Sequence, residues 1–274
     1  MDNSKISIIT VVYNGVATLE QTMISVLNQT YNNIEYIIVD GASTDGTVDI
    51  ISNYELRIKN VEFPNIFFRY ISEPDKGIYD AMNKGIDMAT GEWLNFMNAG
   101  DIFCDSDVLE KIANTYFLSD NSKAFLYSDY YVKNEFSNPD KTLFAASYKN
   151  GNILHQSVIY KRDLHKTHGY YIVTDKIIVS DYLFFNFIDM NVVEKINIPI
   201  SINDMAGVST GSWCYKQKIC VDYIFGRITF FYMLKTICLS SIKNFCKVLL
   251  GKKTTNLILN SKYKKKAKSY SLYI

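Results

Sequence analysis

The sequence Ile34-Glu-Tyr-Ile-Ile-Val-Asp-Gly-Ala-Ser-Thr-Asp-Gly46 sets the pattern for the first half of the chain. A β-branched and aromatic run ends in Asp40, and a turn of small and acidic residues follows it. Two other runs end in the same way, with Ile6–Val12 before Tyr13-Asn-Gly15 and Trp93–Met97 before Asn98-Ala-Gly-Asp101. Short apolar runs of this kind, separated by helical stretches, predict parallel strands that alternate with helices.

The carboxyl ends of parallel strands share one edge of a sheet, and ligands of open α/β folds bind there. Asp40 and Asp101 are therefore predicted to converge, although they lie far apart in sequence. Carboxylates gathered at one edge suit a divalent cation together with a nucleotide.

The spacing of apolar residues also predicts the other elements of the first half. Helices are expected over residues 17–29, from about residue 43 to 54, over 78–89 and over 105–117, and a third strand over 66–71. Beyond residue 117 the regular alternation of strand and helix patterns ends. Apolar runs at 125–132, 143–146 and 157–161 predict strands there, joined by irregular links. The second half is therefore expected to be mixed, with an antiparallel strand at one edge.

Length and composition indicate a globular protein with an unusual charge distribution. The 274 residues, with 48% apolar and 21% charged side chains, fit one large domain or a domain with an appendage, and they exclude disorder as the main state. Residues 214–274 contain thirteen Lys and Arg but one acid, Asp222, whereas the whole chain has 29 bases and 28 acids. A basic appendage is therefore predicted after a domain over residues 1–213, and it is expected to meet an anionic partner.

Cysteine usage and hydropathy favour a cytoplasmic location. The five cysteines form no C-x-x-C pair, which predicts reduced thiols, and no signal-peptide pattern precedes the first strand. The longest apolar stretch, Ile219–Leu239, includes Asp222, Arg227 and Lys235, so a membrane-spanning helix is not expected.

Ordered motifs between residues 5 and 205 resemble those of family 2 glycosyltransferases, the large inverting family with the GT-A fold. The motifs are Ile8–Asn14, Val39–Thr47, Glu73–Gly85, Ala89–Trp93, Asn98–Asp101 and Ser180–Tyr182. Each would be weak alone, but the ordered set is specific. The resemblance implies an α/β, Rossmann-like GT-A domain with a mixed, mainly parallel sheet flanked by helices, followed by a basic helical C-terminal appendage. Residues 1–104 would then form the nucleotide-sugar half and residues 105–213 the acceptor half.

The resemblance assigns a metal to Asp101. Without it, Asn98-Ala-Gly-Asp101 equally fits a tight turn whose aspartate caps the next helix. The family usually has Asp-x-Asp-Asp here, so Asn98 and Gly100 replace the first two acids. The implied cofactor is Mg²⁺ or Mn²⁺ bound to the donor diphosphate, with a metal affinity that depends on bound donor.

The resemblance also implies a donor site for a nucleotide sugar. Asp40 would contact the nucleobase, and an acceptor carboxylate there favours UDP-hexose, although Gly41 replaces the family's second acid and Asp40 also fits a plain turn role. Lys76 would meet the diphosphate near a helix start, where the alternative is a solvated side chain. The full set of donor-site residues is Val11, Tyr13, Asn14, Asp40, Lys76, Asp80, Asn83, Asn98, Ala99 and Gly100.

Asp181 is the implied catalytic base. An inverting transfer needs one base on the ring face opposite the leaving diphosphate, and no covalent nucleophile. The competing interpretation makes Asp181 a helix cap. His155 is a secondary candidate, because a lone histidine before a strand is more often a hydrogen-bonded structural residue.

The resemblance thus implies an inverting transferase that moves a hexose from a UDP-sugar to a hydroxyl of a lipid-linked saccharide in bacterial surface polysaccharide (O-antigen) synthesis. The aromatic, lysine-rich appendage is expected to lie on the inner face of the cytoplasmic membrane rather than to bind nucleic acid. Its oligomeric state is not predicted. The alternative is a catalytically silent nucleotide-sugar-binding or scaffolding protein. A dehydrogenase is disfavoured because Tyr13-Asn-Gly15 lacks a G-x-G-x-x-G turn.

Overall fold

A computed structural model gives the structure of the protein and describes residues 4–60, 62–117, 122–133, 140–204, 212–242 and 245. The chain forms two units, Met1–Val208 and Ser209–Ile274. The predicted division between residues 213 and 214 falls within the first helix of the second unit.

Two sheets organise the first unit. The main sheet contains β1 (Ile6–Val12), β2 (Ile34–Asp40), β3 (Ile66–Ser72), β4 (Trp93–Phe96), β6 (Phe125–Ser128), β9 (Val158–Lys161) and β10 (Val193–Ile196). Its order is β10-β6-β9-β4-β1-β2-β3, and β9 runs antiparallel to both of its neighbours. The smaller sheet has the order β5 (Ile102–Phe103), β11 (Ser201–Asn203), β7 (Tyr130–Lys133) and β8 (Lys141–Phe144).

Helices cover both faces of the main sheet. They are α1 (Leu19–Leu27), α2 (Thr47–Lys59), α3 (Ile78–Met88), α4 (Val108–Ile112), α5 (Leu164–His168) and α6 (Ser180–Phe187). Side chains of β1 alternate between two cores: Ile8 packs with α1, α2 and α4, whereas Ile9 packs with α3 and α6. A sheet buried on both faces explains why β1 and β2 are apolar along their whole length.

The elements up to residue 104 follow the predicted pattern closely, but the chain beyond it differs from the prediction in three respects. The predicted antiparallel edge strand is wrong in position, because β9 lies inside the sheet between β4 and β6. The predicted strand over 125–132 is two strands in different sheets, broken at Asp129, whose carboxylate accepts from Ala146 N at 2.7 Å and pairs with Lys195 at 2.6 Å. The predicted helix over 105–117 is α4 followed by a π-helical turn, Ala113–Phe117.

An ion pair between a buried carboxylate and a partly exposed arginine ties β2 to β3, and the same carboxylate binds the loop before β4. The carboxylate of Glu35 is fully buried and accepts from Arg69 at 2.6 Å and from Thr90 N at 2.7 Å. Burial raises the pKa of Glu35, but bonds from Ser7 and Thr90 and the charge of Arg69 outweigh burial, and the pKa lies below its usual value. Glu35 is therefore ionised and paired in the folded protein.

The described part of the second unit contains α7 (Ser212–Ile224) and a helix over residues 230–242. Asp222 and Arg227 form an ion pair at 3.2 Å. Large apolar side chains are exposed, among them Ile224 (70%) and Phe231 (81%). Among the residues described, no helix is both long and apolar enough to cross a bilayer. The sequence has a lysine-rich run from Lys262 to Lys268, which lies outside the described residues.

Candidate active site

Three loops meet at the carboxyl edge of the main sheet, because β2, β1 and β4 lie side by side and run in the same direction. Val12 is the register partner of Asp40, so the first two loops leave the sheet at the same level. Met97 N donates to Ile9 O at 3.0 Å, and Ala99 N donates to Val11 O at 3.5 Å, which brings the third loop beside β1. The three loops are therefore neighbours, as the strand pattern predicts, and a close approach of Asp40 to Asp101 itself stays a prediction.

The loop after β1 presents an exposed aromatic side chain, and the asparagine next to it joins this loop to the loop after β2. Asn14 has a φ of 50°, and it joins the next loop through a bond from its N–H to Ser43 Oγ (2.7 Å) and one from Thr44 N to its Oδ1 (3.0 Å). Tyr13, beside it, is 68% exposed. Val11 is buried in the core, so a donor could contact its backbone but not its side chain.

Asp40 is fully buried at the end of β2. Its Oδ2 accepts from Ser43 N at 3.0 Å and from Ser72 Oγ at 2.6 Å, whereas its Oδ1 has no hydrogen-bond partner within the described residues. The carboxylate thus fixes the loop after β2 to the end of β3. Its direct contact with a nucleobase stays a prediction.

Lys84 anchors the loop between β3 and α3. The ammonium of Lys84 pairs with Glu73 at 2.8 Å and donates to Pro74 O at 2.9 Å. Asp80 accepts from Lys76 N at 3.0 Å, so its carboxylate stabilises the start of α3. The Lys76 side chain is exposed and makes no bond or ion pair in the described part of the chain. Its ammonium is therefore available to an anion at this edge.

Asn83 clamps a neighbouring segment against α3. Its Nδ2 donates to Tyr171 O at 2.8 Å, and its Oδ1 accepts from Tyr171 N at 3.0 Å. The buried ring of Tyr171 lies 5.6 Å from the ring of Tyr79 and 6.3 Å from that of His155, between centroids. Asn83 therefore positions aromatic side chains, and its predicted contact with the donor stays a prediction.

The turn over residues 98–101 has a backbone that disfavours an acid at position 100. Gly100 has a φ of 105°, which L side chains rarely adopt. Its N–H donates to Thr22 Oγ1 at 2.9 Å, and the same hydroxyl donates to Asp101 O at 2.8 Å. The missing second acid of the motif thus coincides with a conformation suited to glycine.

Asp101 ties three segments together. Its Oδ2 accepts from Gln156 Nε2 at 2.6 Å, and its Oδ1 accepts from Asp204 N at 3.0 Å. Burial raises the pKa of Asp101 to about 6, and these hydrogen bonds offset part of that rise. The helix-capping alternative is not observed, since Asp107 precedes α4.

The oxygens of this turn fit a cation that arrives with a diphosphate. Asp101 supplies one carboxylate, and Asn98 Oδ1 is a buried amide oxygen without a hydrogen-bond partner in the described ranges. Those ranges contain no group of three His, Cys, Asp or Glu that could hold a metal ion by itself. Mg²⁺ commonly takes one or two carboxylates and completes its shell with substrate phosphates and water.

Asp181 lies at the start of α6 but does not cap it. The residue before the helix is Val179, and no side-chain cap bond is formed there. The Asp181 carboxylate instead accepts from the Tyr79 hydroxyl at 2.6 Å and lies 3.1 Å from His155 Nδ1. Its side chain is 26% exposed. A carboxylate fixed on two sides and still open to solvent is suited to receive a proton from a ligand.

His155 is a close neighbour of Asp181, as the secondary prediction allows. A tautomer with its proton on Nδ1 donates to Asp181 Oδ2, while Nε2 is buried without a partner in the described residues. The ring packs edge-on against Phe96, 4.9 Å between centroids. His155 is thus a partner of the carboxylate in addition to being buried.

Sequence reasoning missed three residues of this site. Tyr79 and Gln156 hold the two carboxylates, and Asp75 lies against Gly41. Tyr79 and Asp75 belong to the Glu73–Gly85 motif, in which they were polar residues without an assigned role. That lack of a role was the signal that could have identified them as site residues. Gln156 follows His155, but nothing in one sequence indicates that it faces Asp101.

Solved structures show which fold this is. The chain resembles the mannosyltransferase PcManGT of Pyrobaculum calidifontis in complex with GDP-Man and Mn²⁺, with a TM-score of 0.63 and 17% identity over 98% of this chain and 81% of that one. It also resembles S. aureus TarS 1-349 in complex with UDP-GlcNAc, with a TM-score of 0.62 and 18% identity over 81% of this chain and 65% of that one. The expected GT-A fold is confirmed.

Curated relatives share more of the sequence. A PGL/p-HBAD biosynthesis glycosyltransferase of Mycobacterium bovis is 35% identical over 174 residues, 60% of this chain and 62% of the relative. The UDP-Glc:alpha-D-GlcNAc-diphosphoundecaprenol beta-1,3-glucosyltransferase WfaP of Escherichia coli is 35% identical over 164 residues, 57% and 61% of the two chains. The match therefore spans less than two thirds of the length of these relatives.

The family itself follows from a match over most of the first unit. Residues 7–211 fit the sequence profile of the family described as Glycosyl transferase family 2, and this range includes every loop of the candidate site. The chain belongs to glycosyl transferase family 2.

Proposed function

We propose that this protein is an inverting glycosyltransferase that moves a hexose from a nucleotide sugar, a UDP-sugar in the first instance, to a hydroxyl of a lipid-linked saccharide. The observation that carries the proposal is the 2.6 Å hydrogen bond between Tyr79 and Asp181. It joins the start of α3, which follows the donor-side loop, to the one carboxylate at the start of α6. This contact makes the proposed base a neighbour of the proposed donor-side loop, which supports the proposal.

In this proposal Asp181 takes the proton of the acceptor hydroxyl. The hydroxyl oxygen forms a bond to the anomeric carbon, and the bond from that carbon to the diphosphate oxygen breaks with its electron pair on the diphosphate. One displacement inverts the configuration. Tyr79 and His155 hold the carboxylate in place throughout. Such a positioned base contributes about 10²-fold to 10⁴-fold to the rate.

The donor diphosphate would lie between the loops after β1, β3 and β4. Lys76 provides an ammonium there that has no partner among the described residues, and Asn98 and Asp101 provide oxygens for Mg²⁺ or Mn²⁺. When bound, such a cation neutralises charge on the leaving diphosphate. The nearby oxygens of the protein hold it only in part, so its affinity depends on the donor. PcManGT is described with Mn²⁺ and GDP-Man, which supports a cation at such a site.

The lipid-linked acceptor is proposed from WfaP, whose name specifies a diphosphoundecaprenol acceptor, and from the second unit. Residues 212–242 expose Phe231, Ile224 and other large apolar side chains, and residues 214–274 are strongly basic. Exposed apolar and basic side chains together suit the surface of an anionic membrane. We propose that the second unit binds the membrane that carries the acceptor, on its cytoplasmic face.

A panel of nucleotide sugars tests the proposal. Binding and hydrolysis are measured for UDP-, GDP- and CDP-sugars with Mg²⁺, with Mn²⁺ and with EDTA, and transfer is measured to a lipid-linked saccharide. We expect one donor to bind, to be hydrolysed slowly, and to be transferred with inversion. Donor binding without hydrolysis or transfer under every condition would favour the catalytically silent alternative, and no binding at all would contradict the proposal and leave only the scaffolding alternative.

A further inference from the structure

The side-chain space of Gly41 is occupied by a carboxylate from another loop. Gly41 follows Asp40 at the end of β2, and its N–H donates to Val12 O at 2.9 Å. It has no positive φ, so its backbone would accept other residues. A Cβ at this position would lie 2.4 Å from Asp75 Oδ2 and 3.3 Å from the ring carbon Cδ2 of Tyr13. The absence of a side chain at position 41 therefore leaves room for Asp75.

Asp75 is held so that one of its oxygens is available. Its Oδ1 accepts from Gly77 N at 2.8 Å, which fixes the carboxylate within its turn. Its Oδ2 makes no hydrogen bond within the described part of the chain. The loop on which it lies is anchored by Lys84 through Glu73 and Pro74. The position of Oδ2 over Gly41 is thus defined from two sides.

Asp40, the acid expected to contact the nucleobase, is less suited to that contact than Asp75. It is fully buried: its Oδ2 is bonded to Ser43 and Ser72, and its Oδ1, which has no hydrogen-bond partner in the described residues, is also closed to solvent. A base would have to displace the loop to reach it. Asp75 is only partly buried, and the ring of Tyr13 beside it is 68% exposed. An accessible carboxylate next to an aromatic face is the chemistry that binds a planar base with an N–H on its edge.

We infer that Asp75 is the residue that selects the nucleobase, with its Oδ2 accepting a hydrogen bond from N3–H of uracil. The inference rests on the proposed function, since it deepens the donor site of that enzyme. Cytosine presents an unprotonated N3 at the same place, and a carboxylate repels it. Asp75 thus supplies from the loop before α3 the second acid that position 41 lacks. Asp40 holds the loop on which Gly41 lies.

Binding of UDP and of N3-methyl-UDP, measured by titration calorimetry, tests this assignment. For the wild type we expect N3-methyl-UDP and CDP to bind about 10-fold to 100-fold more weakly than UDP, as for loss of a hydrogen bond to a charged group. In Asp75→Ala, UDP affinity should fall by a similar factor, so that the preference over N3-methyl-UDP nearly disappears. Thermal melts of each variant check that the fold is kept.

Two further variants separate base selection from loop structure. Gly41→Asp combined with Asp75→Ala returns a carboxylate to the same space from the other loop, and it should restore the preference for UDP. Glu55→Ala removes an acid of α2 that pairs with Lys59 at 3.0 Å, outside the loop that carries Asp75, and should leave the ratio of the two affinities unchanged. An Asp75→Ala protein that is folded and keeps the wild-type ratio overturns the inference alone. Failure of the wild type to bind any nucleotide overturns it together with the proposed function.

Discussion

The hydroxyl of Tyr79 and the carboxylate of Asp181 are joined by a 2.6 Å hydrogen bond, although 102 positions separate them in sequence. Tyr79 lies in the first turn of α3 and Asp181 in the first turn of α6. Both helices pack on the same face of the main sheet. The relationship places the proposed base beside the helix that follows the proposed donor-side loop.

Replacement of Asp181 by asparagine should separate catalysis from donor binding. The base acts on the acceptor hydroxyl, so Asp181→Asn is expected to bind the nucleotide sugar almost normally and to lower kcat by about 10²-fold to 10⁴-fold. Calorimetric donor affinity and initial transfer rates check this. Equal losses in donor affinity and in kcat would point to a structural role instead.

Tyr79→Phe should reduce kcat by about tenfold, because one hydrogen bond that orients a charged base is worth about 1.5 kcal/mol or more. The aromatic ring and its packing near Tyr171 are kept. Tyr170→Phe is a matched control, since its hydroxyl donates to Asp87 on the surface at 2.5 Å. The idea fails if both variants have the wild-type kcat, or if Tyr79→Phe lowers the rate further in an Asp181→Asn background.

The predictable part of this protein is the part with local signals. Strand ends marked by Asp40 and by Asn98-Ala-Gly-Asp101 were found because an apolar run followed by turn residues is a local pattern. The place of β9 inside the sheet depends on pairing with β4 and β6 across long separations, which periodicity does not encode. For the same reason Asp101 could be proposed as a site residue from the sequence, whereas its hydrogen-bond partners Gln156 and Asp204 could not.

Asp101→Asn should keep the fold and lose activity if Asp101 helps to hold the cation. Burial raises the folded pKa of Asp101 to about 6, above the usual 3.8. Between about pH 4 and pH 6 this carboxyl group is therefore ionised in the unfolded chain but protonated in the folded protein, so the free energy of unfolding falls as pH rises through this range. The neutral asparagine avoids this, so the variant should be at least as stable as the wild type at pH 7.5 in EDTA. Transfer is expected to fall at least about 100-fold.

Gln156→Ala is the control for that variant, since it removes a neighbour of Asp101 and keeps the carboxylate. It should lose less activity than Asp101→Asn and keep its response to Mg²⁺ and Mn²⁺. Near-normal transfer by Asp101→Asn, or full wild-type activity in excess EDTA, would show that Asp101 does not hold a catalytic cation. Its role would then be only structural, through its hydrogen bonds.

Glu35 should contribute to acid sensitivity of the fold. Its folded pKa is lowered below 4.5, so its contribution is present above that pH and is lost as pH falls through the folded pKa. Glu35→Gln leaves Arg69 without its charged partner and is expected to lower the free energy of unfolding by about 3 kcal/mol at pH 7. Urea unfolding at pH 7 and pH 3.5 checks this. An equal difference between variant and wild type at both values would contradict the assignment.

Phe231→Ser tests whether the second unit binds a membrane through its exposed apolar side chains. Phe231 is 81% exposed, and insertion of one such side chain into the interface is worth about 1.5 to 3 kcal/mol, so affinity for anionic vesicles should fall by about tenfold or more. Leu56→Ser, which changes a 60% exposed residue of α2 in the first unit, should have no effect.

The intact protein should also bind more weakly at high salt, because each lysine near the headgroups contributes about 1 kcal/mol. Vesicle sedimentation measures both effects, and transfer to a short soluble acceptor should be the same in all three proteins. If the wild type ignores anionic vesicles at low salt, or if Leu56→Ser weakens binding as much as Phe231→Ser, the second unit does not attach the enzyme to its acceptor in this way.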